Sequence, residues 1–178
     1  MISVENAYSF HWAATVGPAD FRNLRIFEEP AGSQPGCGME IYRFLHPGNH
    51  SQNATTSYHR RADTNQHFGN SGTIEWMSDV DGRVYFATDG PIPFSDLRLK
   101  AKSSSKSRRF TFGGQQYKWK PERNNDMICV DLTGKRIASW SATRTRLSVP
   151  TSIDNAIFID RLVVTCLLNL WFRKLDKF

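Results

Sequence analysis

The chain is poor in cysteine, in acidic charge and in long apolar runs. Cys37, Cys129 and Cys166 are its three cysteines, widely spaced and with no Cys-x-x-Cys pair. That spacing excludes a disulfide framework or a cysteine zinc site and fits a reducing compartment. Residues 1–17 lack a basic segment followed by an apolar run, so no secretory signal is expected and the protein is expected to be cytoplasmic. The sequons at Asn49 and Asn53 are then expected to stay unmodified. The most apolar run lies between Arg161 and Arg173 and is shorter than the roughly 17–25 residues that cross a bilayer. No Gly-x-Ser-x-Gly, P-loop or Gly-x-Gly-x-x-Gly motif is present, which leaves no signature of a hydrolase elbow or a nucleotide cradle.

What is present is a globular composition, 39% hydrophobic and 22% charged, in 178 residues. This is enough chain for one domain, expected to span residues 1–178, with a sizeable core. Lys and Arg number 23 against 17 Asp and Glu, so the net charge is +6 and the partners expected are anionic. Nucleic acid is not favoured among them, because no nucleic-acid-binding motif accompanies the charge.

The last stretch of the chain organises the rest. From Leu162 to Phe172 only Thr165 and Asn169 are polar, and within residues 153–174 Arg161, Thr165, Asn169 and Arg173 recur every fourth residue. On a helix these form one narrow polar stripe, and a helix apolar around the rest of its circumference is normally buried. Thr151, Ser152 and Asp154, after Pro150, are candidate N-caps. Cys166 lies inside the run and is expected to act as a small buried apolar residue.

Ahead of this helix the sequence alternates and breaks at short intervals. Strands are expected over residues 21–27, 39–45, 54–60, 73–77, 83–87, 108–112, 116–120, 127–132, 136–140 and 147–149, with weaker alternation over 1–10. Gly113-Gly114 and Thr133-Gly134 read as hairpin turns, and Gly69 to Gly72 as a turn. Residues 29–38 and the Ser/Lys run 102–106 read as loops. Short strands at such spacing suit an antiparallel sandwich or barrel. A barrel closed around the helix would both bury it and leave no free edge.

The run over residues 108–140 resembles the tubby C-terminal-like superfamily, which includes tubby proteins, phospholipid scramblases and LURP-one-related proteins. The resemblance rests on Arg109-Phe110, Gly113-Gly114, Tyr117-x-Trp119 and Asp131-x-x-Gly134-Lys135-x-Ile137-Ala138. The strand Gly72-Thr-Ile-Glu-Trp76 and the ending from Ile159 to Thr165 are similar to an uncharacterised fungal branch of it. The resemblance implies a mainly β fold, a closed antiparallel β-barrel of about 12 strands around a buried hydrophobic C-terminal α-helix. Tubby proteins bind phosphoinositides at a basic surface, but the basic positions of that site do not map onto this chain.

The candidate site is basic. Lys100, Lys102, Lys106, Arg108 and Arg109 lie within ten positions, and Lys118, Lys120 and Arg123 follow on the partner strand. Such a hairpin suits an anionic phospholipid or another phosphate-containing ligand, through charge-assisted hydrogen bonds and peripheral membrane contact. A merely solvated strand face has the same appearance. An enzyme is the alternative, with Glu75 beside Trp76 facing an apolar interior, and His59, His67 and Asp63 near it in sequence. Its substrate would be an apolar or anionic metabolite in a pocket at the barrel end. A protein-binding scaffold is a third reading. No cofactor or metal is expected: His46 and His50 have metal-like spacing, but Pro47 and Gly48 between them exclude a helix.

Overall fold

A computed structural model describes residues 5–12, 22–29, 38–47, 54–62, 67–87 and 89–177. It contains twelve strands in one antiparallel sheet and a long C-terminal helix. The strands are β1 (Glu5–Trp12), β2 (Leu24–Glu29), β3 (Met39–Leu45), β4 (Thr55–Arg61), β5 (Phe68–Trp76), β6 (Gly82–Phe86), β7 (Ile92–Pro93), β8 (Arg108–Phe112), β9 (Gln115–Pro121), β10 (Met127–Val130), β11 (Arg136–Ser141) and β12 (Arg146–Pro150). A short helix α1 (Phe94–Leu97) follows β7, and α2 (Ala156–Lys174) follows β12.

Two meanders make the sheet. Strands β1 to β7 pair in sequence, β8 to β12 pair in sequence, and β1 joins the halves by pairing with both β2 and β12. The ends of the order are β7 and β8, and no strand pairing joins them. The expected unbroken ladder is therefore replaced at one place. There α1 packs toward β8, and Leu99 and Arg109 exchange two backbone hydrogen bonds of 2.9 Å. The chain between β7 and β8 thus supplies a partner for the β8 edge. Pro93, with no N–H to donate, suits the other edge.

Alternation decides what faces inward. Tyr8 and Phe10, Leu24 and Ile26, Tyr42 and Phe44, Ile74 and Trp76, Val84 and Phe86, Met127 and Cys129, Leu147 and Val149 are all buried pairs two residues apart. They form one cluster with the buried side chains of α2. That helix is buried from Phe158 through Phe172 apart from Ile159, which is half-buried. Its start lies later than expected. The N-cap is Asn155, whose side chain accepts from the Phe158 N–H at 3.1 Å, rather than Thr151, Ser152 or Asp154.

The polar stripe meets partners from several sides of the sheet. Thr165 accepts from Trp119 Nε1 on β9 at 2.9 Å and donates to the Arg161 carbonyl at 2.8 Å. Asn169 accepts from Arg98 Nε at 3.2 Å, and Arg173 donates to the Asn125 carbonyl at 2.7 Å. Arg161 donates to Asp89 and lies 3.7 Å over the Phe86 ring. Trp171 Nε1 donates to the Asp79 carbonyl at 2.7 Å. Among the described residues no helix is long and apolar enough to cross a membrane. Cys129 and Cys166 are buried thiols, both pushed upward in pKa by burial, and Cys37 lies outside the described residues.

One turn expectation is corrected. Gly69 to Gly72 belongs to β5, which is longer than the 73–77 segment read from alternation. The pairing with β4 shifts between Tyr58 and His59, so Ser71 is the extra residue of a bulge. Gly72 is required beside it: a Cβ there would stand 2.1 Å from the Tyr85 carbonyl oxygen and 2.3 Å from Tyr58 Oη.

Candidate functional site

The basic hairpin forms as β8 and β9, and its register sorts the cations. Phe110 pairs with Tyr117 and Arg108 with Trp119; Phe110, Trp119 and Arg108 are buried. Arg109 pairs with Lys118, one residue out of phase, so both stand on the outer face with Lys120 two residues further along. Arg109 Nη1 donates to Gln116 Oε1 at 2.9 Å, which steadies it across the strand pair. Lys100, Lys102 and Lys106 are exposed on the loop that leads into β8.

Two site expectations are corrected. Arg108 faces inward at 1% exposure and is no surface ligand. Its Nη1 donates to the carbonyls of Ser105 and Ser107, at 2.9 and 3.1 Å, so it clamps the base of the Ser/Lys loop. Its parity with Phe110, two residues away, carried that signal. Arg123 is exposed but leaves the strand face: it sits in a 3-10 turn (Arg123–Asn125) directly after Glu122.

Charge is more concentrated here than the linear reading suggested. Residues 97–121 hold eight basic side chains, at positions 98, 100, 102, 106, 108, 109, 118 and 120, and no Asp or Glu. That +8 exceeds the whole chain's +6. Lys100, Lys102, Lys106, Lys118 and Lys120 form no ion pair among the described residues. Arg98, half-buried beneath this region, is pushed down to about 9 by burial and by the neighbouring charge of Arg108.

The acid–base constellation does not assemble. Ile74 and Trp76 are buried, so Glu75 between them faces outward, where it accepts from Tyr85 Oη at 3.1 Å. Glu75 pairs with Thr55, and His59 stands four residues along β4, roughly 13 Å away at strand rise. His67 is exposed before β5, and Asp63 and His50 lie outside the described residues. His46 is buried, with Nδ1 2.8 Å from Thr56 Oγ1, which also accepts from Trp76 Nε1 at 2.8 Å. Among the described residues no His, Cys, Asp and Glu group is placed to hold a metal.

A buried carboxylate that alternation did not reveal lies at the start of α2. Asp160 accepts from Tyr42 Oη and, at 3.1 Å, from Arg60 Nη1. Burial raises its pKa, while Tyr42 and Arg60 pull it back. Beside it is a cavity of about 390 Å³ lined by Tyr42, Arg60, Arg61, Glu28, Ala156 and Ile159, among others. A second cavity, of about 310 Å³, lies at the other end of α2, with Trp140, Leu170 and Arg173 in its wall. Glu75 lines neither.

These elements define a mainly β protein built on twelve antiparallel strands and a core helix, with one strongly basic outer face. Residues 33–174 match a family described as a family of unknown function (DUF6593), and the chain belongs to that family. No curated protein and no solved structure matches the chain. The family match carries no link to the tubby C-terminal-like superfamily.

Proposed function

We propose that this protein is a non-enzymatic, peripheral membrane module that binds acidic lipid or phosphate headgroups through the outer face of β8 and β9 and the loop before them. The observation that carries this reading is that six basic residues, Lys100, Lys102, Lys106, Arg109, Lys118 and Lys120, face outward in a segment, 97–121, without one acidic residue. The strand pair places Arg109, Lys118 and Lys120 on one face, and Gln116 holds the Arg109 side chain in advance of an anion. Near an anionic leaflet each basic residue contributes about 1 kcal/mol. The resemblance to tubby-like proteins supports the same reading. In this reading the sheet curls into a closed barrel around α2, with α1 and the Leu99–Arg109 bridge sealing the seam between β7 and β8.

The test is co-sedimentation with phosphatidylcholine vesicles with and without phosphatidylserine or a phosphoinositide. Binding is expected only with the anionic lipid, and Lys118→Ala/Lys120→Ala should weaken it by roughly tenfold or more, at about 1 kcal/mol per charge. Binding that ignores lipid charge, or survives the double substitution unchanged, refutes the proposal.

A further inference from the structure

We propose that Ser103 and Ser104 are phosphate-acceptor sites for a serine kinase that reads basic residues, and that their modification switches the basic face off its anionic ligand. The switch rests on the reading of that face given above; the acceptor sites do not.

The loop geometry selects these two serines from the four between Lys102 and Arg108. The Ser105 N–H donates to the Lys102 carbonyl at 2.9 Å, closing a turn in which Ser103 and Ser104 are the two central residues. Both are exposed. Ser105 is only half-exposed, and its hydroxyl accepts from the Ser107 N–H at 3.2 Å. Ser107 is half-buried at the loop base, where Arg108 holds its carbonyl. The buried arginine thus fixes the stem of the loop, and the tip presents two free hydroxyls.

The charge around the tip suits a kinase with an acidic substrate cleft. Lys100 and Lys102 stand three and one residues before Ser103, Lys106 stands two after Ser104, and no acidic residue falls within the whole 97–121 segment. In the transfer the serine Oγ attacks the γ-phosphorus of Mg-ATP. The Oγ–P bond forms, the bond from phosphorus to the ADP oxygen breaks, and the hydroxyl proton passes to the kinase's catalytic base. Each phosphate brings about −1.5 to −2 charges. Two of them offset roughly half to two-thirds of the six outward cations, and the flanking lysines gain an intramolecular partner that competes with lipid.

The experiment incubates the full chain with Mg-ATP and a purified basic-directed serine kinase, maps the phosphate by mass spectrometry, and then measures vesicle binding. Phosphate is expected on Ser103 or Ser104 and absent from Ser103→Ala/Ser104→Ala. Binding to phosphatidylserine vesicles is expected to fall at least about tenfold on modification, because the phosphates offset cations that attract the leaflet. No incorporation, or incorporation only elsewhere, overturns the acceptor sites. Mapped phosphate with unchanged vesicle binding overturns the switch. Unmodified protein that ignores anionic vesicles overturns the reading of the face, and the switch with it, whatever the mapping shows.

Discussion

Truncating one side chain of α2 tests whether the helix is enclosed. Leu168 is 0% exposed in the middle of α2, within the same apolar cluster as strands from both meanders. Leu168→Ala removes its buried methyls and leaves a cavity that a surrounding sheet cannot collapse into, at a cost of about 3–5 kcal/mol. For a chain of this size that cost corresponds to a fall in Tm of roughly 8–13 °C. The internal control is Ile157, 38% exposed on the first turn of the same helix. Ile157→Ala loses a partly buried side chain but gains helix propensity, so its net effect should stay below about 1 kcal/mol. Urea denaturation read by tryptophan fluorescence measures both. Equal shifts in the two variants, or a Leu168→Ala loss below about 1 kcal/mol, would refute the enclosed helix. Leu167→Asp, at a 2% exposed position, should abolish folding on the same reasoning.

Gly72→Ala should cost about 2 kcal/mol or more, because its Cβ meets backbone at 2.1 Å, whereas Gly69→Ala, with nothing within 4 Å, should change stability little; a neutral Gly72→Ala would disprove the tight bulge. Asp160 makes a pH prediction. Its folded pKa is raised, chiefly by burial, so the fold holds that proton more tightly than the unfolded chain does. Its contribution is full below the unfolded value of about 4 and is lost as pH rises through the folded pKa. The stability of the wild type relative to Asp160→Asn should therefore fall as pH is raised above about 4. Urea midpoints across that range measure it, and a wild type that gains on the variant with rising pH would contradict the sign.

Much of the architecture is local and therefore legible. Period-two alternation located β3 and β8 to the residue, and most other strands within two or three, because a pleated strand with one buried face leaves that signature in any sequence. The four-residue spacing of Arg161, Thr165, Asn169 and Arg173 revealed α2 and its polar stripe for the same kind of reason. The misses have physical causes. Gly69 to Gly72 resembled a turn because glycine is equally at home in a bulge pressed against another strand. Alternation sets the parity of Glu75, but burial sets which parity is inside, and Ile74 and Trp76 took the interior.

By itself, then, the sequence determined the element types, the burial of the last helix and the concentration of positive charge in one segment. These follow from neighbours a few residues apart. Only the tertiary structure decided which cations share a face, that Arg108 turns inward to hold the serine loop, and that Asp160 meets Tyr42 across 118 positions. Register between strands and contacts across a core depend on residues far apart in the chain, and no local pattern encodes those pairings.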